Sequence, residues 1–227
     1  MIRVTENFSE IQDLLARSCT AAGRSADAVT LLAVSKTKPL EMILDLADAG
    51  QYDFGENFVQ EGVDKIGKCG RNDLRWHFIG HLQSNKSRAV AEHFDWVHTV
   101  DRARIARRLS AQRPSSLPPL NVCLQVNVDE EPGKSGVVLN ELDALAAEVV
   151  ELPAIKLRGL MCIPAVREDK LEQREPFRRM REAFERLNDS GYSLDTLSMG
   201  MTADYDAAIQ EGATMVRIGT ALFGARD

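Results

Sequence analysis

Apolar stretches typical of buried β-strands alternate with amphipathic helical segments along almost the whole sequence. Eight strand-like stretches can be distinguished, and each is followed by a helix or a helical turn. They cover residues 29–36, 52–57, 74–80, 96–100, 119–128, 155–163, 194–200 and 214–219. Strands that alternate with helices form parallel sheets, and eight such units are typical of a closed (β/α)8 barrel of the TIM type. The sequence therefore predicts an α/β barrel.

An additional helix is predicted before the first strand, because apolar residues recur at helical spacing over residues 8–19. The stretch 119–128 is predicted to be the longest strand. The alternative fold is an open doubly wound sheet, which usually has a GxGxxG turn after an early strand. The first such turn here, SKTKP at residues 35–39, has no glycine. We expect a single barrel domain over residues 1–227.

The composition excludes several functional classes. The chain has 34 acidic and 28 basic residues, a net charge of −6, whereas proteins that bind nucleic acids usually present a basic face. No apolar run approaches the roughly 18 residues of a membrane span. Acidic residues are mixed into the N-terminal segment, which therefore does not resemble a secretion signal. The four cysteines are scattered without a CxxC pair, as expected for reduced thiols in a cytoplasmic protein.

Polar residues and glycines recur where the predicted strands end. They are Lys36, Glu56, Asn57, His77, Gly80, His98, Asn127, Ser198, Gly200, Arg217, Gly219 and Thr220, with Met161 at the end of the sixth strand. In (β/α)8 barrels the chemistry takes place at this end of the strands. Each residue also has a simpler interpretation. Lys36 could be an ordinary lysine that extends into water at a strand end. Glu56 and Asn57 could cap the next helix, and Arg217 could form a structural ion pair.

The last two predicted strand ends have the composition of a phosphate-binding site. Glycine lets the main chain approach an anion, and the loops after strands seven and eight of barrels often bind phosphate. Ser198 and Gly200 lie at the end of one strand, and Gly219 and Thr220 at the end of the other, although ordinary turns use the same residue types. A lysine, a phosphate site and Arg217 at one barrel mouth fit two chemistries. One is a Schiff-base aldolase of sugar phosphates, and the other is pyridoxal 5'-phosphate (PLP) bound to Lys36.

Histidines 77 and 81 form an HxxxH pattern, but no third residue has the spacing of a metal ligand, so no metal site is expected.

Several motifs resemble those of one family in the same order. They are LLAVSKTKP, FGENFVQE, WHFIGHLQSNKSR, GLMCIPA, LSMGMTADYDAAI and MVRIGTALFGAR, and the similarity extends from about residue 5 to the C-terminus. By these motifs the chain resembles the YggS/PROSC family of PLP homeostasis proteins. The resemblance implies the barrel of fold-type III PLP proteins, similar to the N-terminal domain of alanine racemase.

The resemblance also implies roles for individual residues. Lys36 would form the internal aldimine with PLP, and Arg217 would face the pyridine nitrogen. Phosphate would be held by Ser198, Gly219 and Thr220, together with the backbone of Met199, Gly200 and Met201. Asn57 would lie near the 3-oxygen of the ring, and His77, Ile79 and Met161 near its faces. His81 departs from the family pattern, where proline is expected.

The function implied by the resemblance is PLP homeostasis, in which a protein buffers or delivers the cofactor with no strong catalytic activity. The resemblance also implies transient contact with PLP-dependent apo-enzymes. The chain ends directly after the eighth unit, so we expect a monomer without the second domain of alanine racemase. The alternative is an amino-acid racemase of fold-type III. Lys134 is the next candidate if Lys36 is not the PLP-binding lysine.

Overall fold

Eight parallel strands close into a barrel in the order in which they occur in the sequence, with β8 hydrogen-bonded to β1. This is seen in a computed structural model, which describes residues 4–224. The predicted (β/α)8 barrel with an extra N-terminal helix is therefore confirmed.

Each strand is followed by a helix that packs outside the barrel. The strands are β1 (Thr30–Val34), β2 (Asp53–Glu56), β3 (Arg75–Phe78), β4 (Trp96–Val100), β5 (Leu120–Val126), β6 (Ile155–Cys162), β7 (Thr196–Met201) and β8 (Met215–Ile218). The helices are α1 (Val4–Ala21), α2 (Leu40–Asp48), α3 (Val59–Cys69), α4 (Ser87–His93), α5 (Ala103–Gln112), α6 (Leu142–Val150), α7 (Lys170–Asp189), α8 (Tyr205–Gln210) and α9 (Thr220–Phe223). A short 3-10 turn, Ser84–Lys86, precedes α4.

Two details differ from the sequence-based expectation. The longest strand is β6, with eight residues, and not β5, which has seven because its predicted ends lie in loops. Helix α3 begins at Val59 after Phe58 and has no side-chain cap, so neither Glu56 nor Asn57 caps it. Glu56 is instead fully buried against the outer helix layer.

Alternate residues of each strand face opposite sides of the barrel wall, as the period of two requires. The outward-facing residues, such as Leu31, Ala33 and Phe54, join the large apolar core between strands and helices. Inward-facing residues form two small separate clusters, Leu32 with Ile79 and Met215, and Trp96 with Cys123 and Met161. The interior of the barrel is therefore occupied by side chains.

The end of β7 is bent by a shift in its pairing with β8, between Ser198 and Met201. Gly200 lies in this irregular stretch at φ 94°, and a Cβ there would come within 2.7 Å of the Ala208 Cβ. Only glycine avoids both the left-handed strain and this clash. Irregularities of this kind re-aim the following side chains, and this one places the 201–202 segment beside the barrel mouth.

Candidate active site at the C-terminal end of the barrel

A cavity of about 210 Å³ opens at the C-terminal ends of the strands. Its lining combines residues from six strand ends: Val34, Lys36, Asn57, Ile79, Ile163, Met201, Thr202, Arg217, Gly219 and Thr220. Seven of the twelve predicted site residues are in this lining, namely Lys36, Asn57, Ile79, Met201, Arg217, Gly219 and Thr220. The volume is below the roughly 300–1,000 Å³ of pockets for drug-sized ligands, which suits a compact single-ring ligand.

Lys36 extends into the cavity from a tight turn that follows β1. Ser35 is fully buried and donates its N–H to the Gly55 carbonyl (3.0 Å), and Lys38 N closes the turn on the Ser35 carbonyl (3.1 Å). Thr37 has φ 63°, which is rare for a β-branched residue. The lysine is therefore held between a buried residue and a strained one.

Arg217 crosses the floor of the cavity and is only 4% exposed. Its Nη1 donates to the Ser198 carbonyl (2.6 Å) and to Ser198 Oγ (2.9 Å), and its Nη2 donates to the Cys162 carbonyl (2.8 Å). These acceptors are all neutral. Burial lowers the pKa of Arg217 from its ordinary value, but an arginine remains protonated at physiological pH. The cavity floor is thus a fixed cation with donors in a defined plane.

Asn57 contributes an unsatisfied polar atom to the cavity wall. Its Oδ1 is buried and has no hydrogen-bond partner among the described residues. The asparagine backbone sits against Gly80, where a Cβ would come within 1.9 Å of the Asn57 carbonyl oxygen. Buried polar groups in native proteins are usually paired, so this side-chain amide is positioned for a polar group of a ligand.

Another wall is formed by the end of β7 with the residue after it, and by the segment that follows β8. It presents Met201 and Thr202 from one segment and Gly219 and Thr220 from the other. Gly219 lies close to β1, since a Cβ there would come within 3.3 Å of the Val34 side chain and carbonyl. Two hydroxyl groups and a glycine backbone on one wall are suitable donors for a phosphate group.

Ser198 is fully buried beneath Arg217 and belongs to a chain of hydrogen bonds through the barrel. Ser198 Oγ lies 2.9 Å from His98 Nδ1, and His98 Nε2 lies 2.9 Å from His77 Nδ1. His77 Nε2 lies 3.0 Å from Asp53 Oδ1, at the N-terminal end of β2. The chain therefore extends from the cavity floor to the opposite end of the barrel.

With both histidines neutral, every bond in this hydrogen-bonded series has one direction. A guanidinium only donates and an ionised carboxylate only accepts. Ser198 Oγ therefore accepts from Arg217 and donates to His98 Nδ1, so that His98 Nε2 donates to His77 Nδ1 and His77 Nε2 donates to Asp53. Each histidine carries one proton and is neutral.

The pKa shifts agree with these protonation states. Burial, reinforced by His77 and Arg217, holds the pKa of His98 well below its ordinary value, and burial also lowers the pKa of His77. Although burial opposes the change, hydrogen bonds from His77 and Arg75 lower the pKa of Asp53 to about 2. Asp53 is therefore ionised and both histidines are neutral at pH 7.

The remaining predicted site residues are placed outside the cavity lining. His77 is fully buried and stacks on Trp96, with ring centroids 5.3 Å apart. Met161 packs with Trp96 and Cys123 inside the barrel, whereas Met199 faces the outer core. Gly200 shapes the end of β7 as described above. Ser198 lies outside the lining and accepts two hydrogen bonds from Arg217, which is part of it.

Sequence reasoning missed Val34, Ile163 and Thr202 in the lining and Asp53 beneath it. Of these, Thr202 was the easiest to predict from the sequence, because it is a hydroxyl residue four positions after Ser198. Predicting Thr202 as part of the cavity lining would have required knowledge of the irregular pairing of β7 with β8.

Two other residues considered in the sequence analysis, Lys134 and His81, lie apart from this cavity. Lys134 is exposed and forms an ion pair with Glu131. His81 is exposed, with Nδ1 3.2 Å from Ser135 Oγ. Among residues 4–224, no group of three or more His, Cys, Asp or Glu side chains could hold a metal ion, and no helix is long and apolar enough to cross a membrane.

A larger cavity of about 580 Å³ lies at the N-terminal end of the barrel. Its charged side chains are paired with one another, Arg75 with Asp53 (2.6 Å) and Arg158 with Asp195 (2.7 Å). Barrel enzymes carry their chemistry at the opposite end, and residues at this end usually contribute to stability. The smaller cavity around Lys36 is therefore the functional candidate.

Comparison with known proteins shows which family the chain belongs to. Residues 11–227 match the family model of the alanine racemase N-terminal domain. The pyridoxal phosphate homeostasis protein of Escherichia coli K12 is 56% identical over 227 residues, which cover 99% of this chain and 97% of that protein. The chain belongs to the pyridoxal phosphate homeostasis protein family. The resemblance inferred from the sequence motifs is confirmed.

Other members of this family are similar over their whole length. The pyridoxal phosphate homeostasis protein of Pseudomonas aeruginosa PAO1 is 53% identical, with 100% of this chain and 97% of that protein covered. PipY of Synechococcus elongatus PCC7942, whose structure was solved with PLP bound, is 36% identical. The two structures superpose with a TM-score of 0.85, covering 98% of this chain and 100% of PipY.

Proposed function

We propose that this family member binds PLP in the cavity around Lys36 and takes part in PLP homeostasis. One observation carries the proposal: Lys36, Arg217 and the Gly219–Thr220 segment line the same small cavity. PLP supplies an aldehyde that condenses with a lysine amine with loss of water, and a ring that draws electrons from bound amines. The names of the relatives and the PLP-bound PipY support the same cofactor.

The residues of the cavity fit this cofactor chemically. Lys36 would bond to the aldehyde carbon, and Arg217 would donate to the pyridine nitrogen. Gly219, Thr220, Met201 and Thr202 would hold the phosphate. The unsatisfied side-chain amide of Asn57 would meet the ring's 3-oxygen, since amide orientation can be reversed.

Further members of the predicted set would act through these residues. Ile79 would cover a ring face, because it is an apolar residue of the cavity lining. Ser198 would act by holding Arg217, and Gly200 and Met199 by shaping the strand that carries Met201. His77 and Met161 would support the floor from inside the barrel.

Arg217 favours a binding protein over a strong catalyst. An arginine donates a hydrogen bond to the pyridine nitrogen and keeps its own proton, so the ring remains unprotonated and is a weaker electron sink. A racemase also needs an acid–base group on each face of the substrate carbon. The chain has three tyrosines, Tyr52, Tyr192 and Tyr205, all within the described residues, and none of them is in the cavity lining.

The proposal includes the setting in which the protein acts. We place it in the cytoplasm as a monomeric barrel domain over residues 1–227 that buffers PLP or delivers it to PLP-dependent apo-enzymes by transient contact. Amino-acid and keto-acid metabolism would be affected through those enzymes.

Absorbance titration with PLP tests the cofactor assignment. The wild-type chain should develop the long-wavelength band of a lysine-bound cofactor, and Lys36→Ala should lose it. Lys68→Ala, which removes an exposed lysine of α3, should behave as the wild type. A band of unchanged position and intensity in Lys36→Ala would show that another lysine binds the cofactor.

Proton exchange at the α-carbon of amino acids in deuterated solvent tests the binding role against the racemase alternative. Slow or undetectable exchange with PLP bound is expected. Fast exchange with one specific amino acid would establish the racemase instead.

A further inference from the structure

Three charged residues outside the cavity surround the turn that carries Lys36. They are Glu56 at the end of β2, and Glu61 and Lys65 on α3, and we call them the ionic clamp. The Lys65 side chain is 10% exposed and that of Glu56 is fully buried, so the clamp is largely removed from water. None of the three is in the cavity lining. Buried charges of this kind are costly unless they are paired, and Lys65 pairs with both carboxylates.

The ammonium of Lys65 is the centre of the clamp. Lys65 Nζ donates to Glu56 Oε1 (2.7 Å), to Glu61 Oε1 (2.7 Å) and to the Ser35 carbonyl (2.8 Å). An ammonium has three protons, so these three contacts use its full donor capacity. The third contact joins α3 directly to the residue that precedes Lys36.

The two carboxylates hold the turn on both sides of Lys36. Glu56 Oε1 accepts from the Ser35 hydroxyl (2.6 Å), and Glu61 Oε1 accepts from the Thr37 backbone N–H (2.6 Å). The residues immediately before and after the lysine are therefore both bound to the clamp. Hydrogen bonds to ionised carboxylates are among the stronger ones in proteins.

The backbone of Thr37 shows that the turn is held against its own preference. Its φ of 63° places a β-branched residue in the left-handed region. Such conformations persist where the surrounding contacts over-determine them, and they occur frequently at functional sites. Glu61 therefore accepts a hydrogen bond from the backbone N–H of the strained residue itself.

Gly62 brings α3 close enough for these contacts. A Cβ at this position would come within 2.5 Å of the Phe94 ring and 3.3 Å of Glu56 Cβ. The helix can thus pack directly on the end of β2, so that Glu61 and Lys65 reach the turn.

We propose that Glu56, Glu61 and Lys65 are positioning residues that fix the 35–37 turn and thereby aim Lys36 at the cofactor in the cavity. This inference rests on the proposed function. Of Lys36 and the three clamp residues, only Lys36 would touch the cofactor, and the clamp would act through the backbone on either side of it.

Glu61 is the residue to change, because its side chain is 26% exposed and its loss leaves Lys65 paired with Glu56. Glu61→Ala removes the acceptor of the Thr37 N–H, whereas Glu61→Gln keeps an oxygen in place. Asp64→Ala is the matched control, since Asp64 lies on the exposed side of the same helix and contacts Gln60.

Hydrogen exchange of the Thr37 amide in the protein without PLP measures the turn itself. Glu61→Ala should accelerate this exchange about tenfold, the factor that corresponds to one lost charge-assisted hydrogen bond. Glu61→Gln should largely restore the protection, and Asp64→Ala should leave it unchanged. Circular dichroism verifies that each variant is folded.

Rapid mixing with PLP measures the consequence for Lys36. The long-wavelength band should form about tenfold more slowly in Glu61→Ala than in the wild type and at a near-normal rate in Glu61→Gln. Unchanged Thr37 exchange, or faster exchange with an unchanged rate of band formation, would overturn the positioning role. If the wild type forms no band at all, the proposed function fails, and the exchange data alone decide whether the clamp fixes the turn.

Discussion

At the scale of single residues, the cavity floor depends on a buried cation whose partners are neutral. Arg217 is held by Ser198, whose hydroxyl continues to His98, His77 and Asp53. Burial lowers the pKa values of both histidines, so both are neutral and each donates one hydrogen bond and accepts another. The hydrogen-bonded series therefore links the floor of the Lys36 cavity to the protonation state of two buried imidazoles.

This link predicts how stability depends on pH. The pKa values of His77 and His98 are lowered in the folded protein, so below the unfolded value of about 6.5 the unfolded chain binds more protons. Their contribution to stability is complete above pH 6.5 and is lost as the pH falls toward the folded pKa values. Each histidine adds at most about 1.4 kcal/mol per pH unit to this slope.

Urea unfolding at several pH values between 5 and 8 measures the slope. His98→Gln should reduce it, whereas His93→Gln, at an exposed position of α4, should not. An unfolding free energy that stays constant from pH 7 to pH 5 in the wild type would contradict neutral buried histidines.

At the scale of elements, the irregular end of β7 determines which residues reach the cavity. The pairing of β7 with β8 shifts between Ser198 and Met201, and Gly200 lies in the shifted stretch. Ser198 consequently lies below the floor, and Met201 and Thr202 line the wall. Because of this irregularity, Thr202 and not Ser198 supplies the hydroxyl group of β7's end to the cavity lining.

A comparison of two glycines tests this interpretation. Gly200 and Gly191 have similar φ values, 94° and 98°, but they differ in the space around them. A Cβ at Gly200 would meet close neighbours, whereas a Cβ at Gly191 would have nothing within 4 Å. Alanine at either position incurs left-handed strain of about 1–2 kcal/mol. Gly200→Ala should cost a further 1–3 kcal/mol or so from the clash with Ala208, as overpacking does.

Urea unfolding of Gly200→Ala and Gly191→Ala measures the two losses of unfolding free energy. Their difference gives the cost of the clash with Ala208, because the backbone strain is common to both variants. Equal losses for Gly200→Ala and Gly191→Ala would show that the end of β7 is not tightly constrained.

Much of the fold was predictable from the sequence, whereas parts of the site were not. The alternation of strands and helices is a local pattern, and the eight strands of the barrel were all identified, with β4 at its observed bounds. Lys36 and Arg217 were identifiable because a charged residue at a strand end is conspicuous. Thr202 was not, because the irregular pairing of β7 with β8 leaves no mark in a single sequence.

Long-range polar contacts were also beyond sequence reasoning. Lys65 appears in the sequence as one more charge on an amphipathic helix, although it is buried against Glu56 and the Ser35 carbonyl. The chain from Asp53 to Ser198 joins residues of four strands. Such pairings depend on the register between strands and on which face each residue occupies, and neither is visible in composition or periodicity.

At the scale of the whole molecule, a cofactor bound only by the folded barrel should stabilise it by mass action. At a PLP concentration 100 times the Kd, the gain is about 2.7 kcal/mol. The melting temperature of the wild-type chain should therefore rise with PLP concentration. Lys36→Ala should show a smaller rise at the same concentration, because only non-covalent contacts to Arg217 and the phosphate wall remain.

Thermal unfolding of both proteins at matched PLP concentrations measures this difference, with Lys68→Ala as the control. Equal shifts in the wild type and Lys36→Ala would show that the covalent bond contributes nothing to binding.

The central claim is that PLP is bound covalently to Lys36 within the barrel mouth. Borohydride reduction of the PLP-loaded chain, followed by peptide mass spectrometry, tests it most directly because reduction makes the linkage permanent. We predict that the added phosphopyridoxyl mass is found on Lys36 and that fragment ions exclude Lys38. Finding that mass on Lys134 or another lysine, with the Lys36 peptide unmodified, would contradict covalent binding at Lys36.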